Sequence, residues 1–195
     1  MTAPNLCSKN GLASFSVFAD DSVSNSDFHR LTISKGIRQL VFASFFFWKP
    51  GTVMQKSLTG LIRSLLHDVL KECPDLIREI LPDYWGQIKS TPWQVQSKLP
   101  LTDKEIREAF SRLISDPTLY TNHCFCFFID GLDEYEGTYQ EDPKTLVELL
   151  NSWTRHAPTA IKICVSSRGY NVFMNAFAED QRICLHNLTR SDMTQ

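Results

Sequence analysis

The stretch Cys124–Gly137, CFCFFIDGLDEYEG, constrains this chain more than any other. A run of β-branched and aromatic residues this apolar and this short reads as a buried strand. It ends abruptly in Asp130, with Asp133, Glu134 and Glu136 close behind. Carboxylates directly past the end of a buried strand need either solvent or a cation. The surrounding elements decide which kind of edge they occupy.

Arg38–Trp48, RQLVFASFFFW, is a second such run, stopped by Pro50-Gly51. Ala160–Ser167, AIKICVSS, and Arg182–Leu188, RICLHNL, give two more strands. Between them the periodicity turns helical. Met54, Leu58, Leu61, Ile62, Leu65 and Val69 recur along one face of an expected helix over 52–71. Thr102 and Glu105 form a capping box ahead of Ile106, Ala109, Phe110 and Leu113. Leu146, Val147, Leu150 and Trp153 make the inner side of a helix over about 143–154, and Asn171–Ala178 reads as a short one. A helix is also expected to begin at Thr189. Residues 73–100, carrying Pro74, Pro82, Pro92 and Pro100, read as one short helix near 75–81 followed by irregular chain.

Strands alternating with helices predict an α/β fold, a three-layer αβα sandwich with a mostly parallel sheet covered on both faces. Ligands of such sheets sit beyond the carboxyl ends of the strands. The acids after Ile129 and the Ser-Ser-Arg after Val165 both fall at that edge. There Asp130 is placed to hold Mg²⁺, and Asp133 and Glu134 to orient water. Arg168 is placed to meet a phosphate oxygen or to pair with one of the acids.

Composition narrows the function classes. With 43% hydrophobic and 22% charged residues the chain of 195 residues is ordinary globular material for one domain. Twenty basic residues balance 22 acids without a basic block, which argues against nucleic acid as a partner. The six cysteines lie mostly in apolar runs and form no CxxC pair, so they read as reduced, buried thiols. Cys124 and Cys126 share a strand face, which leaves a soft-metal pair conceivable. The five histidines show no metal spacing, and the four tryptophans read as core or interface filler. The start, MTAPNLCSKN, lacks a signal-peptide pattern, and no apolar run approaches the ~20 residues of a membrane span. A cytoplasmic protein without membrane contact is expected.

The motifs carry a specific resemblance. FFIDGLDEYEG resembles the Walker B segment of NACHT-type signalling NTPases, the STAND class of P-loop NTPases, and KICVSSR resembles their sensor 1 strand. VFASFFFWKPGTVMQKSLTGLIRSLLHDVL and LHNLTRSDM are similar to the fungal branch of that group, which shares its domain with the nephrocystin-3-like N-terminal region. The resemblance covers 39–195 as a partial domain and leaves 1–38 as a divergent N-terminal segment. It implies Mg²⁺ with ATP or GTP as cofactors, with Asp130 as metal ligand, Asp130 and Arg168 as cofactor-binding residues, and Asp133 and Glu134 as hydrolytic residues. It also implies other protein domains or full-length relatives as partners, and oligomerisation. Gly169 stands where relatives usually have proline.

One component is missing. No G-x-x-x-x-G-K-[ST] string, whose backbone N–H groups and lysine cradle phosphates, occurs in the sequence. Gly51–Ser57, GTVMQKS, is one residue short of it and lacks the glycine before Lys56. In the family a first strand, the phosphate loop and a helix precede Gln39. Here Asp20, Asp21 and Asp27 crowd the corresponding loop and would repel a triphosphate. That first strand lies centrally, between the strands matching KICVSS and RICLHN. Either Leu12–Asp20 is recruited into the gap or the chain folds poorly alone. The expected function is a degenerate NACHT-like nucleotide-binding domain with little or no hydrolysis. The alternatives are a non-catalytic interaction module and a gene fragment without independent activity.

Overall fold

The computed structural model describes residues 13–18, 38–96, 99–138 and 141–184. The expected strand end at 185–188, the helix from Thr189 and the acids Asp20, Asp21 and Asp27 lie outside them. Strand β1 (Ala13–Phe18) and β2 (Gln39–Phe46) are followed by α1 (Leu58–Glu72), α2 (Ile77–Ile80), α3 (Pro82–Ser90), α4 (Trp93–Gln96) and α5 (Asp103–Ser115). Then come β3 (His123–Asp130), α6 (Pro143–His156), β4 (Ile161–Arg168), α7 (Asn171–Ala176) and β5 (Arg182–Cys184).

The strands form one sheet in the order β2-β3-β4-β1-β5. β2 and β3 run parallel from Gln39↔His123 to Phe46↔Asp130, and β3 and β4 run parallel from Phe125↔Ile161 to Ile129↔Val165. The α/β class with parallel pairing of β2, β3 and β4 therefore stands. β1 lies between β4 and β5 and is antiparallel to both, Ala13 opposite Arg168 and Phe18 opposite Ile163. Its carboxyl end is thus at the edge of the sheet opposite to that of Asp130.

Alternation along the strands sorts the side chains onto two faces. Val41, Ala43 and Phe45 of β2, Phe125, Phe127 and Ile129 of β3, and Ile161, Ile163 and Val165 of β4 are buried in one core. Leu61, Leu65 and Val69 of α1, Phe110 and Leu113 of α5, and Leu146, Leu150 and Trp153 of α6 fill it from the other side. Each such large side chain contributes ~1.5–3 kcal/mol by leaving water. Phe110 meets the Trp153 ring edge-on at 4.7 Å and Phe127 at 6.0 Å, tying α5 and α6 to the middle of β3.

The opposite face departs from expectation. Among the described residues no element covers this face at β2 and the end of β3, where Leu40 is 47%, Phe42 54%, Phe46 64% and Phe128 44% exposed. Cys124, Cys126 and Lys162, on the same face, are buried. The free edge of β2 is occupied by α1 instead: the Ser44 N–H donates to Asp68 Oδ2 at 3.2 Å, and the Ser64 hydroxyl donates to the Ser44 carbonyl at 3.5 Å.

Helix boundaries follow local chemistry. Ser57 caps α1 by accepting the Gly60 N–H at 3.2 Å, so the expected helix over 52–71 splits into a 3-10 turn at Val53–Lys56 and α1 proper. Gly60 permits the close approach of that turn, since a Cβ there would lie 1.7 Å from the Met54 carbonyl oxygen. The irregular chain expected after residue 81 is corrected by α3 and α4. Pro82 occupies the first helical position of α3, where its missing N–H costs nothing. Among the described residues no helix is long and apolar enough to cross a membrane.

Candidate functional site

Asp130 ends β3 beside Phe46, and the chain turns at once through Gly131, whose φ of 71° lies in the left-handed region. The turn is tight: a Cβ on Gly131 would come within 2.9 Å of the Phe47 carbonyl oxygen. A one-turn 3-10 helix, Leu132–Glu134, follows, closed by the Glu134 N–H donating to the Gly131 carbonyl at 2.8 Å. Leu132 and Tyr135 are buried and pin this turn to the core. Asp133 is thereby directed back toward β4 and Glu134 toward the chain after β2.

Each acid has a partner. The Ser166 hydroxyl donates to Asp130 Oδ1 and accepts the Gly131 N–H at 3.2 Å, so one serine of β4 fixes the end of β3. Asp133 accepts twice from Arg168: from its backbone N–H at 2.9 Å and from its Nε at 2.5 Å. The Asp133 side chain is only 4% exposed, against 48% for Arg168. The hydrogen bond and charge of Asp133 push the guanidinium pKa above even its usual high value, with smaller contributions from Tyr170 and Glu134. Arg168 also stands over the Tyr170 ring, 5.8 Å from its centre. Glu134 Oε2 accepts the Lys49 N–H at 2.8 Å.

All four sequence-predicted residues, Asp130, Asp133, Glu134 and Arg168, therefore meet at the carboxyl edge of β3 and β4. Ser166 and the Lys49 N–H had no sequence signal beyond position. Ser166 shares its strand face with Arg168 by alternation, which is the clue that could have found it. The glycine-lysine decoy goes elsewhere: Lys56 Nζ pairs with Glu136 Oε2 at 2.8 Å, and that hydrogen bond is the main cause holding the Glu136 carboxyl below its ordinary pKa. Among the described residues no three His, Cys, Asp or Glu side chains gather into a metal-binding group. Of the carboxylates Asp130, Asp133 and Glu134, Asp130 is exposed and the other two residues are half-buried.

A mixed sheet with parallel β2, β3 and β4, acids past one strand and an arginine past the next defines an α/β domain whose candidate site lies where such folds place their ligands. Residues 16–168 match the nephrocystin 3, N-terminal family, and the chain belongs to it. The match begins inside β1 and ends at the last residue of β4. No curated protein and no solved structure matches the chain.

Proposed function

We propose that this chain is a degenerate NACHT-like domain of the STAND signalling type, whose nucleotide edge is satisfied internally and whose role is protein contact rather than hydrolysis. The observation that carries this reading is the double hydrogen bond from Arg168 to Asp133. An arginine serving a phosphate and an acid orienting water must each present free groups to the substrate. Here each is the other's partner, and Asp133 is nearly sealed from solvent.

Magnesium fits this edge through Asp130, which would hold it with water and phosphate oxygens supplying the other positions. Among the described residues phosphate anchoring has no counterpart. The sequence lacks the glycine-lysine loop, Lys56 is paired with Glu136, and β1 ends at the opposite edge from Asp130. Without positioned N–H donors and a lysine, which the described residues do not supply, neither orientation nor charge stabilisation of a transferring phosphoryl group is available. Asp130, Asp133 and Arg168 then serve to fasten β3 to β4, and Glu134 fastens the turn to the chain after β2.

Calorimetry of the full chain with Mg-ATP and Mg-GTP, alongside Asp130→Ala, tests this. The expected result is no saturable heat up to about 1 mM nucleotide, the range of −4 kcal/mol binding, and no phosphate release above that of Asp133→Asn. Saturable micromolar binding that Asp130→Ala abolishes would overturn the proposal in favour of a working nucleotide switch.

A further inference from the structure

The sheet face that the described residues leave exposed has both the composition and the charge arrangement of an interface. Leu40, Phe42 and Phe46 of β2 and Phe128 of β3 stand side by side on it, Phe42 and Phe128 stacked with ring centres 6.0 Å apart. With 150–250 Å² per aromatic side chain and about half of each exposed, the stripe amounts to roughly 400 Å² of apolar surface. The stable interfaces of standard size bury about 800 Å² per partner, somewhat more than half of it apolar. The stripe therefore supplies about the apolar centre that one side of such an interface needs.

The ends of the stripe carry opposite charges. Arg38 precedes β2 at the amino edge and alternates onto this face; it is half-buried, its Nη1 donates to the Tyr120 carbonyl at 3.5 Å, and its charge opposes the rise that burial gives the Cys124 pKa. Asp130 closes β3 at the carboxyl edge and is exposed. Its register partner is Phe46, eight residues beyond Arg38 along the chain direction of β2. A two-fold axis lying in the interface plane, across the strands at the level of Phe42, brings the faces of two copies together, sets each Arg38 near the Asp130 of the other copy and lays each aromatic stripe over its twin. We propose that two copies of this chain associate face to face through β2 and β3, with Phe42 and Phe128 at the centre and the Arg38–Asp130 pairs fixing the register. Sheets stack this way at about 10 Å separation. The aromatic centre supplies affinity, and the charge pairs at its ends supply orientation.

The inference gives the protein-contact reading a partner, and rests on that reading only for the absence of a competing ligand at Asp130. Sedimentation equilibrium of the full chain at about 100 µM, where even micromolar interfaces are populated, is expected to give the mass of two chains. Phe42→Glu should weaken association at least tenfold while leaving the melting temperature of the folded chain unchanged. Asp130→Arg should weaken it, and Asp130→Arg combined with Arg38→Asp should restore it, because only a two-fold arrangement exchanges both charges at once. A monomeric wild type would overturn the proposal; in that case an unchanged melting temperature in Phe42→Glu means an open face, and a large drop means that the chain covers it with its own residues. A dimer indifferent to Phe42→Glu would overturn it equally. Either failure leaves the nucleotide measurements above untouched.

Discussion

At the scale of single residues, the carboxyl edge is an arrangement of short reciprocal bonds set by one glycine. Gly131 alone makes the reversal from β3 into the 3-10 turn possible, and that reversal brings Asp133 to Arg168 and Glu134 to the Lys49 N–H. An alanine there must adopt a left-handed conformation and place its Cβ 2.9 Å from the Phe47 carbonyl oxygen. Gly131→Ala is therefore expected to cost about 2 kcal/mol, read from the urea midpoint at unchanged slope. The Arg168–Asp133 bonds should loosen with it, visible as faster exchange of the Arg168 amide. Wild-type stability in Gly131→Ala would mean that the turn can be made without this conformation.

At the scale of elements, most of the fold was legible because its signals are local. The capping box is the clearest case: the Thr102 N–H donates to Glu105 Oε2 at 2.8 Å, and the Glu105 N–H donates to Thr102 Oγ1 at 3.3 Å, as the residue types require. Thr102→Ala should cost about 1 kcal/mol and Thr102→Ser little, compared by thermal melting. Equal losses in both variants would mean that the methyl group, not the hydroxyl, holds the start of α5. Where reading failed, the deciding information was not local. Pro82 and Pro92 looked like chain breakers, yet Pro82 starts α3, and only packing separates those two uses. The apolar run of β2 looked buried on both faces, since Phe42 and Phe46 carry no mark of being left outside. The direction of β1 is likewise a matter of connection, not composition. The edge acids and Arg168 were legible as a group; that Arg168 would choose Asp133, and Asp130 Ser166, depended on the Gly131 turn.

The whole molecule hangs on one core between the sheet and α1, α5 and α6, and its polar groups are tuned to stay neutral where they enter it. Tyr120 lies against the carbonyls of Leu113, at 3.0 Å, and Ile114, and burial followed by the charge of Asp116 pushes its pKa up to about 12. Tyr135 donates to the Glu141 carbonyl at 2.8 Å and is likewise pushed up to about 12, first by burial and then by Glu141. Cys126, buried and beside Cys164, reaches about 11 against the opposing charge of Lys162. All three folded-state values exceed the ordinary ones of 10 for tyrosine and 9 for cysteine. The unfolded chain therefore binds fewer protons in this range, so their contribution is complete below pH 9 and is lost as pH rises to about 12. Each group steepens the loss by about 1.4 kcal/mol per pH unit between its two values. Stability followed by denaturant midpoint should thus be flat from neutral to mildly alkaline pH and collapse between pH 10 and 12, in step with tyrosinate absorbance. Tyr120→Phe should make that decline shallower even if it lowers stability at neutral pH by the lost hydrogen bond, about 1 kcal/mol. An alkaline limb of unchanged steepness in Tyr120→Phe would remove Tyr120 from this account and leave Tyr135 and Cys126 to carry it.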